Sequence, residues 1–243
     1  MKYTLTHQGR EYSPRFKKYM RRYVNLYNSC VRVLFFRRFS RRPERSSCKE
    51  LDEIRAKARY GTDISDHLET LFIESLTIRP KLIVELGVRT GESTFAFERA
   101  ARLCDAFLVS VDIEPQQTSS LWHKWFFVQH DDVSFADDFV SWCRERGIIP
   151  EIDVLFIDTN HEYHHTKREI EKWFPLLSEK SKVFFHDANV RMLYQRKDGT
   201  IGKAYRDDRD IMRAIEEYVG TRFDETKDFI EIKTSWLVRH HAI

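Results

Sequence analysis

The sequence predicts an α/β protein with a mostly parallel sheet and helices on both faces, and three observations carry that prediction. Short apolar runs at residues 81–86, 106–111, 125–129, 152–158 and 182–187 alternate with stretches of helical periodicity. The first run passes into a helix through an acid and two glycines, Glu85-Leu86-Gly87-Val88-Arg89-Thr90-Gly91. Each run ends at or beside an acid, namely Glu85, Asp112, Asp131, Asp158 or Asp187, which gathers carboxylates along the rim where parallel strands finish.

The elements follow in chain order. Residues 1–60 hold 17 Lys and Arg against 5 Asp and Glu, a net charge of +12, which leaves −9 for residues 61–243. The chain therefore divides into a basic helical extension, 1–60, and a catalytic-type domain, 61–243. Within the extension, residues 14–39 mix Phe16, Tyr19, Tyr23, Leu26, Tyr27, Val31, Leu34 and Phe35 with Arg21, Arg22, Arg32, Arg37 and Arg38 at near-helical spacing, ended by Arg41-Arg42-Pro43. Two readings stand: a helix lying on anionic lipid or gripping an anionic partner, and a helix docked on the acidic domain itself, the second favoured by the opposite charges. Residues 48–59 and 63–76 read as two further helices before the first strand.

Strand one, 81–86, enters the glycine turn, and a helix over 93–104 follows. Glycine at 87 and 91 permits positive φ and close approach of a ligand, while the helix start offers unpaired N–H groups. An inward carboxylate repels a pyrophosphate, so Glu85 favours a cationic ligand. Strand two ends at Asp112, placed to take ribose hydroxyls. Strand three ends at His130-Asp131-Asp132 before a helix over 133–146; Asp131 is the better ligand candidate, with helix capping as the alternative for either acid. Strand four runs into Asp158-Thr159-Asn160-His161-Glu162-Tyr163, then a helix to Leu177, a turn at 178–181, and strand five ending at His186-Asp187. His164 and His165 read as exposed at the helix start. Residues 188–208 form a turn-rich insertion containing Asp198 to Lys203, residues 210–219 a helix, and 228–233 with 235–240 a hairpin.

The glycine turn resembles the first motif of class I S-adenosylmethionine-dependent methyltransferases. The string Ile157-Asp158-x-x-His161-x-Tyr163, the later Trp173 and Pro175-Leu176-Leu177, and the His186-Asp187 strand end narrow the resemblance. They are similar to the branch holding cephalosporin-hydroxylase-like proteins and O-methyltransferases of rhamnosyl and macrolide sugars. It covers roughly residues 64–240. Relatives usually have Pro-Gly-Gly before strand five, where this chain has Ser178-Glu179-Lys180-Ser181.

The resemblance implies a Rossmann-like sheet of seven strands, the last antiparallel. It implies an O-methyltransferase whose S-adenosylmethionine contacts Glu85, Gly87, Arg89, Gly91, Ser93, Asp112, Asp131 and Asp158. Methyl transfer needs the acceptor hydroxyl deprotonated, so His161, His186 and Asp158 are the catalytic candidates, His161 slightly ahead. Asp158 and Asp187 resemble the positions that hold a divalent cation such as Mg2+ in metal-dependent relatives, although Ala188, followed by Asn189, stands where a third ligand is usual. The implied acceptor is a small molecule or glycan. The alternative is a non-catalytic module of the same fold, recruited to an anionic membrane or glycan by residues 14–39.

Composition bounds the rest. With 42% hydrophobic and 14% aromatic residues in 243, the chain can bury a sizeable core. Cys30, Cys48, Cys104 and Cys143 are scattered, without the spacing of a zinc site, which suits reduced thiols. The absence of a long apolar run or a leader-like N-terminus points to the cytoplasm, peripherally at the membrane under the lipid reading. No Asn/Asp-Pro-Pro-Tyr/Phe sequence follows strand four, so a nucleic-acid partner is not expected. A homo-oligomer is open.

Overall fold

The computed structural model describes residues 46–60, 62, 64–188 and 210–222 in full, residues 19, 22, 23 and 26 of the extension, and the backbone of 193–195, 201–203, 229–232 and 235–241. Five parallel strands form its centre: β1 (Leu82–Leu86), β2 (Phe107–Asp112), β3 (Trp125–Gln129), β4 (Ile152–Ile157) and β5 (Leu177–Phe185). Their order across the sheet is β3-β2-β1-β4-β5, so the winding reverses between β1 and β4. That reversal opens a crevice at the carboxyl ends of the strands.

Beyond β5 run β9 (Ser235–His241), antiparallel to it, and β8 (Phe229–Ile232), antiparallel to β9. The parallel core thus has five strands, and the expected seven are reached only with this C-terminal pair, described by backbone alone. Within the 188–208 insertion, β6 (Leu193–Gln195) and β7 (Ile201–Lys203) pair as a separate antiparallel ribbon.

Among the described residues, helices α1 (Lys49–Lys57), α2 (Leu68–Thr77), α3 (Glu92–Cys104), α4 (Asp132–Glu145), α5 (Tyr163–Trp173) and α6 (Asp210–Val219) cover the sheet. Period-two alternation decides which residues meet which helices. Leu82, Val84, Leu86, Val109, Val111, Leu155, Ile157, Val183 and Phe185 pack with α4, α5 and α6 on one face. Ile83, Leu108, Val154, Phe156 and Phe184 pack with α1, α2 and α3 on the other. Ile54 of α1 lies fully buried in that second layer, so the charge division at residue 60 is not a packing division. Ion pairs bind the layer together: Arg55 to Glu69 at 2.6 Å, Lys57 to Glu92 at 2.8 Å and Arg99 to Glu53 at 2.9 Å.

Two local expectations are corrected. The turn expected at 178–181 is strand. Ile152 pairs with Leu177 but Val154 pairs with Lys182, so β5 carries extra residues as an irregularity in the ladder, and Ser178 Oγ donates to Asp153 Oδ1 at 2.8 Å. The helix expected over 63–76 begins only at Leu68, after a turn across 64–67.

In the extension, Tyr19, Arg22, Tyr23 and Leu26 are helical, and Tyr19, Tyr23 and Leu26 are exposed. The rest of 14–39, on which both the docking and the lipid readings depend, lies outside the described residues. Among the described residues no helix is long and apolar enough to cross a membrane.

Candidate functional site

The strand-end loops meet by continuing the sheet's hydrogen bonding past the strands. Gly87 N–H donates to Val111 O at 2.8 Å, Asp158 N–H to Leu86 O at 2.8 Å and His186 N–H to Ile157 O at 3.0 Å. Gly87, at φ +86°, is pressed so closely on the β4 end that a Cβ would sit 2.1 Å from the carbonyl oxygen of Asp158. The first glycine therefore serves loop-to-loop contact. Gly91, at φ +80°, starts α3, and a Cβ there would strike Thr118 of the β2–β3 connection at 2.6 Å. Arg89 and Asp187 also take positive φ, +47° and +53°. Such backbone is disfavoured for arginine, tolerated by aspartate, and concentrates where a loop is held for function.

On the β1–β3 side the expected ligand residues are engaged by the protein. Glu85 faces the α3 layer rather than the rim. It is fully buried and its oxygens accept hydrogen bonds from Ser93, from Thr94 Oγ1 at 2.8 Å and from Ser110 Oγ at 2.7 Å. Burial pushes its carboxyl up to about 7, against the pull of those three hydroxyls. Glu85 and Ser93, both expected at a cofactor, are thus bonded to each other, because Glu85 lies within the β1 ladder, opposite Ser110, and not beyond it.

Asp112 is half-buried at the end of β2. Its Oδ2 accepts the amides of Val88 at 2.7 Å and Arg89 at 2.9 Å, and Oδ1 that of Glu114 at 2.9 Å, tying the glycine loop to β2. Asp131 is the N-cap of α4, with Oδ1 accepting the Ser134 amide at 2.8 Å. The Ser134 hydrogen bonds hold its carboxyl below the usual range. The capping alternative therefore holds for Asp131.

On the β4–β5 side all four residues singled out for chemistry converge. His161 Nε2 lies 3.3 Å from Asp158 Oδ1 and 3.9 Å from Asp187 Oδ2, and His186 Nδ1 lies 3.2 Å from Asp158 Oδ1 and 3.3 Å from Asp187 Oδ1. One ligand atom from each lies within 4.8 Å of all the others. Burial works against charge on His186, but Asp158 and Asp187 outweigh it and raise the imidazole well above its ordinary value. Burial likewise opposes charge on Asp158, and the two imidazoles overcome it, holding the carboxyl far below the usual range. His186 thus lies buried between two carboxylates that favour its charged form, while His161 stands on the loop with 13% of its side chain exposed.

Other participants left no sequence signal. His67, buried just before α2, sets its ring edge-on to His186, centroids 5.3 Å apart. It stands more than a hundred residues away in the chain, and only the tertiary fold joins them. His165, expected to be exposed, is 3.2 Å from Asp132 Oδ2. Ala188 is buried, and Asn189 lies outside the described residues.

The chain is 32% identical over 127 residues to the uncharacterized protein y4gI of Sinorhizobium fredii, a match covering 47% of this chain and 14% of that one, so it spans a small part of that relative's length. Among solved structures, a TDP-rhamnose 3′-O-methyltransferase of calicheamicin biosynthesis aligns at TM-score 0.49 and 11% identity, covering 84% of this chain and 97% of that one. A putative caffeoyl-CoA O-methyltransferase from Staphylococcus aureus aligns at TM-score 0.49 and 14% identity, covering 92% and 97%. The family described as a methyltransferase domain matches residues 84–188, which run from β1 to just past the His186-Asp187 pair. That segment, which contains the glycine turn and all four clustered residues, is similar to the methyltransferase domain family.

Proposed function

We propose that the protein is an S-adenosylmethionine-dependent O-methyltransferase acting on a hydroxyl of a sugar or glycosylated small molecule. The observation that carries this reading is the convergence of Asp158, His161, His186 and Asp187 beside the glycine turn, within a segment similar to the methyltransferase family. The sugar rests on the Ile157-Asp158-x-x-His161-x-Tyr163 resemblance.

The residues present fit a cationic donor. Asp112 and the ionised Asp158 flank the Gly87 turn, and carboxylates at this rim favour a sulfonium over a phosphate. Asp112 is the contact assigned to the cofactor at this rim, with the Gly87 to Gly91 turn as its backbone wall; Glu85 and Ser93 stay in the core beneath. S-adenosylmethionine supplies the methyl group. The chain's part would be to hold the acceptor hydroxyl beside His161, so that a C–O bond can form as the donor's C–S bond breaks. His161, oriented by Asp158, takes the hydroxyl proton. Buried His186 lies against both carboxylates and favours their ionised forms.

The cluster also fits a divalent ion. Neither ring nitrogen of buried His186 makes an aligned hydrogen bond among the described residues, and Asp158 and Asp187 offer hard oxygen donors suited to Mg2+. The ion would supply Lewis acidity toward the acceptor hydroxyl. A methyl-transfer assay with and without chelator tests this: loss with EDTA, restored by MgCl2, supports the ion, while retained activity that His161→Ala abolishes supports the base alone.

A further inference from the structure

A second buried polar group lies outside the cluster assigned to catalysis. Asp132 opens α4, and His165 and Glu169, four residues apart on α5, share the helix face that meets it. His165 Nε2 is 3.2 Å from Asp132 Oδ2 and 3.7 Å from Glu169 Oε1, and one ligand atom of each residue lies within 4.8 Å of the others. Zinc bonds of about 2.0–2.1 Å in a tetrahedron separate ligand atoms by about 3.3 Å, so the His165–Asp132 spacing already suits a shared ion and Glu169 needs a small shift.

The framework around the three is rigid. Trp173 Nε1 donates to Asp132 O at 3.1 Å, and the Thr159 hydroxyl donates to Glu169 Oε1. Glu169 is wholly buried, yet its other oxygen, Oε2, has no hydrogen-bond partner among the described residues. Arg168 approaches only the outer edge of the ring, its Nη2 3.5 Å from His165 Nδ1.

We propose that Asp132, His165 and Glu169 form a divalent-cation site of the zinc class, separate from the Asp158–Asp187 cluster, that pins the start of α4 to α5. One imidazole and two carboxylates suit zinc better than magnesium, which prefers an all-oxygen octahedron. A water completes the shell on the His165 side, where 14% of that side chain is exposed. The site stands or falls independently of the methyl-transfer reading.

The test is titration of the full chain carrying Asp158→Ala and Asp187→Ala with ZnCl2, by calorimetry and by metal analysis after dialysis. One equivalent of zinc is expected, with a rise in Tm, and affinity falls at least about tenfold on adding His165→Ala or Glu169→Gln. Should His165→Ala fail to fold, His165→Gln serves, since it keeps the volume and removes the imidazole. Absence of zinc from the Asp158→Ala/Asp187→Ala protein, or binding unchanged by both His165→Gln and Glu169→Gln, overturns the proposal and leaves a proton shared between the two acids.

Discussion

On the β1–β3 side of the crevice Glu85, Asp112 and Asp131 are engaged by the protein's own hydroxyls and amides, whereas on the β4–β5 side Asp158 and Asp187 face two imidazoles. All five acids occupy equivalent-looking places at the ends of apolar runs. What separates them is depth and local chain direction. Glu85 lies inside the ladder and builds the floor beneath the glycine turn; Asp112 and Asp131 lie at the rim but hold a loop and a helix start; Asp158 and Asp187 follow the last paired residues and are balanced by charge. A strand-end acid thus signals scaffold as readily as ligand, and its partners decide which.

The comparison can be broken most decisively on the β4–β5 side. His161→Ala should lower kcat for methyl transfer by about 10²–10⁴-fold with Tm little changed, as expected for loss of a general base; activity within a few-fold of wild type would remove His161 from that role. Next in size is Gly87→Ala. Its Cβ would meet the Asp158 carbonyl at 2.1 Å in a backbone region that alanine disfavours, so thermal denaturation should show a loss of about 3 kcal/mol or more. An unchanged Tm would mean that the two loops are not in contact.

The floor residue gives a pH signature. Because Glu85 is raised from 4.5 to about 7 in the folded protein, the native state holds that proton more tightly than the unfolded chain. Its contribution is fully present below the unfolded value, falls as pH rises from 4.5 to about 7, and is flat above, a span worth at most about 3 kcal/mol. Glu85→Gln should flatten that slope in urea unfolding curves, and a slope that persists would assign it to other groups. The smallest effect is at the α4 cap: Asp131→Ala should cost about 1 kcal/mol of stability, with cofactor affinity changed little. A large loss of affinity there would restore Asp131 as a ligand.

Much of this was legible from residue order. The five strand segments and the acids at their ends follow from apolar periodicity, and the grouping of Asp158, His161, His186 and Asp187 is what the family resemblance implies. The details that escaped depend on pairing across the sheet. Glu85 was assigned to the rim because the chain alone does not show that Leu86 still pairs with Ile157 and Val111. The turn at 178–181 proved to be strand because β5 absorbs extra residues against β4. His165 looked exposed in the His164-His165 pair until α4 placed Asp132 against it, and His67 reaches His186 only through the docking of α2.

The central claim is that the crevice binds a cationic methyl donor through its rim while Glu85 merely supports the floor. Calorimetric titration of the full chain with S-adenosylhomocysteine and S-adenosylmethionine tests it most directly. The account predicts micromolar to millimolar binding, weakened at least about tenfold by Asp112→Ala and little altered by Glu85→Gln. No binding by the wild-type chain, or equal loss in both variants with folding intact, would contradict it.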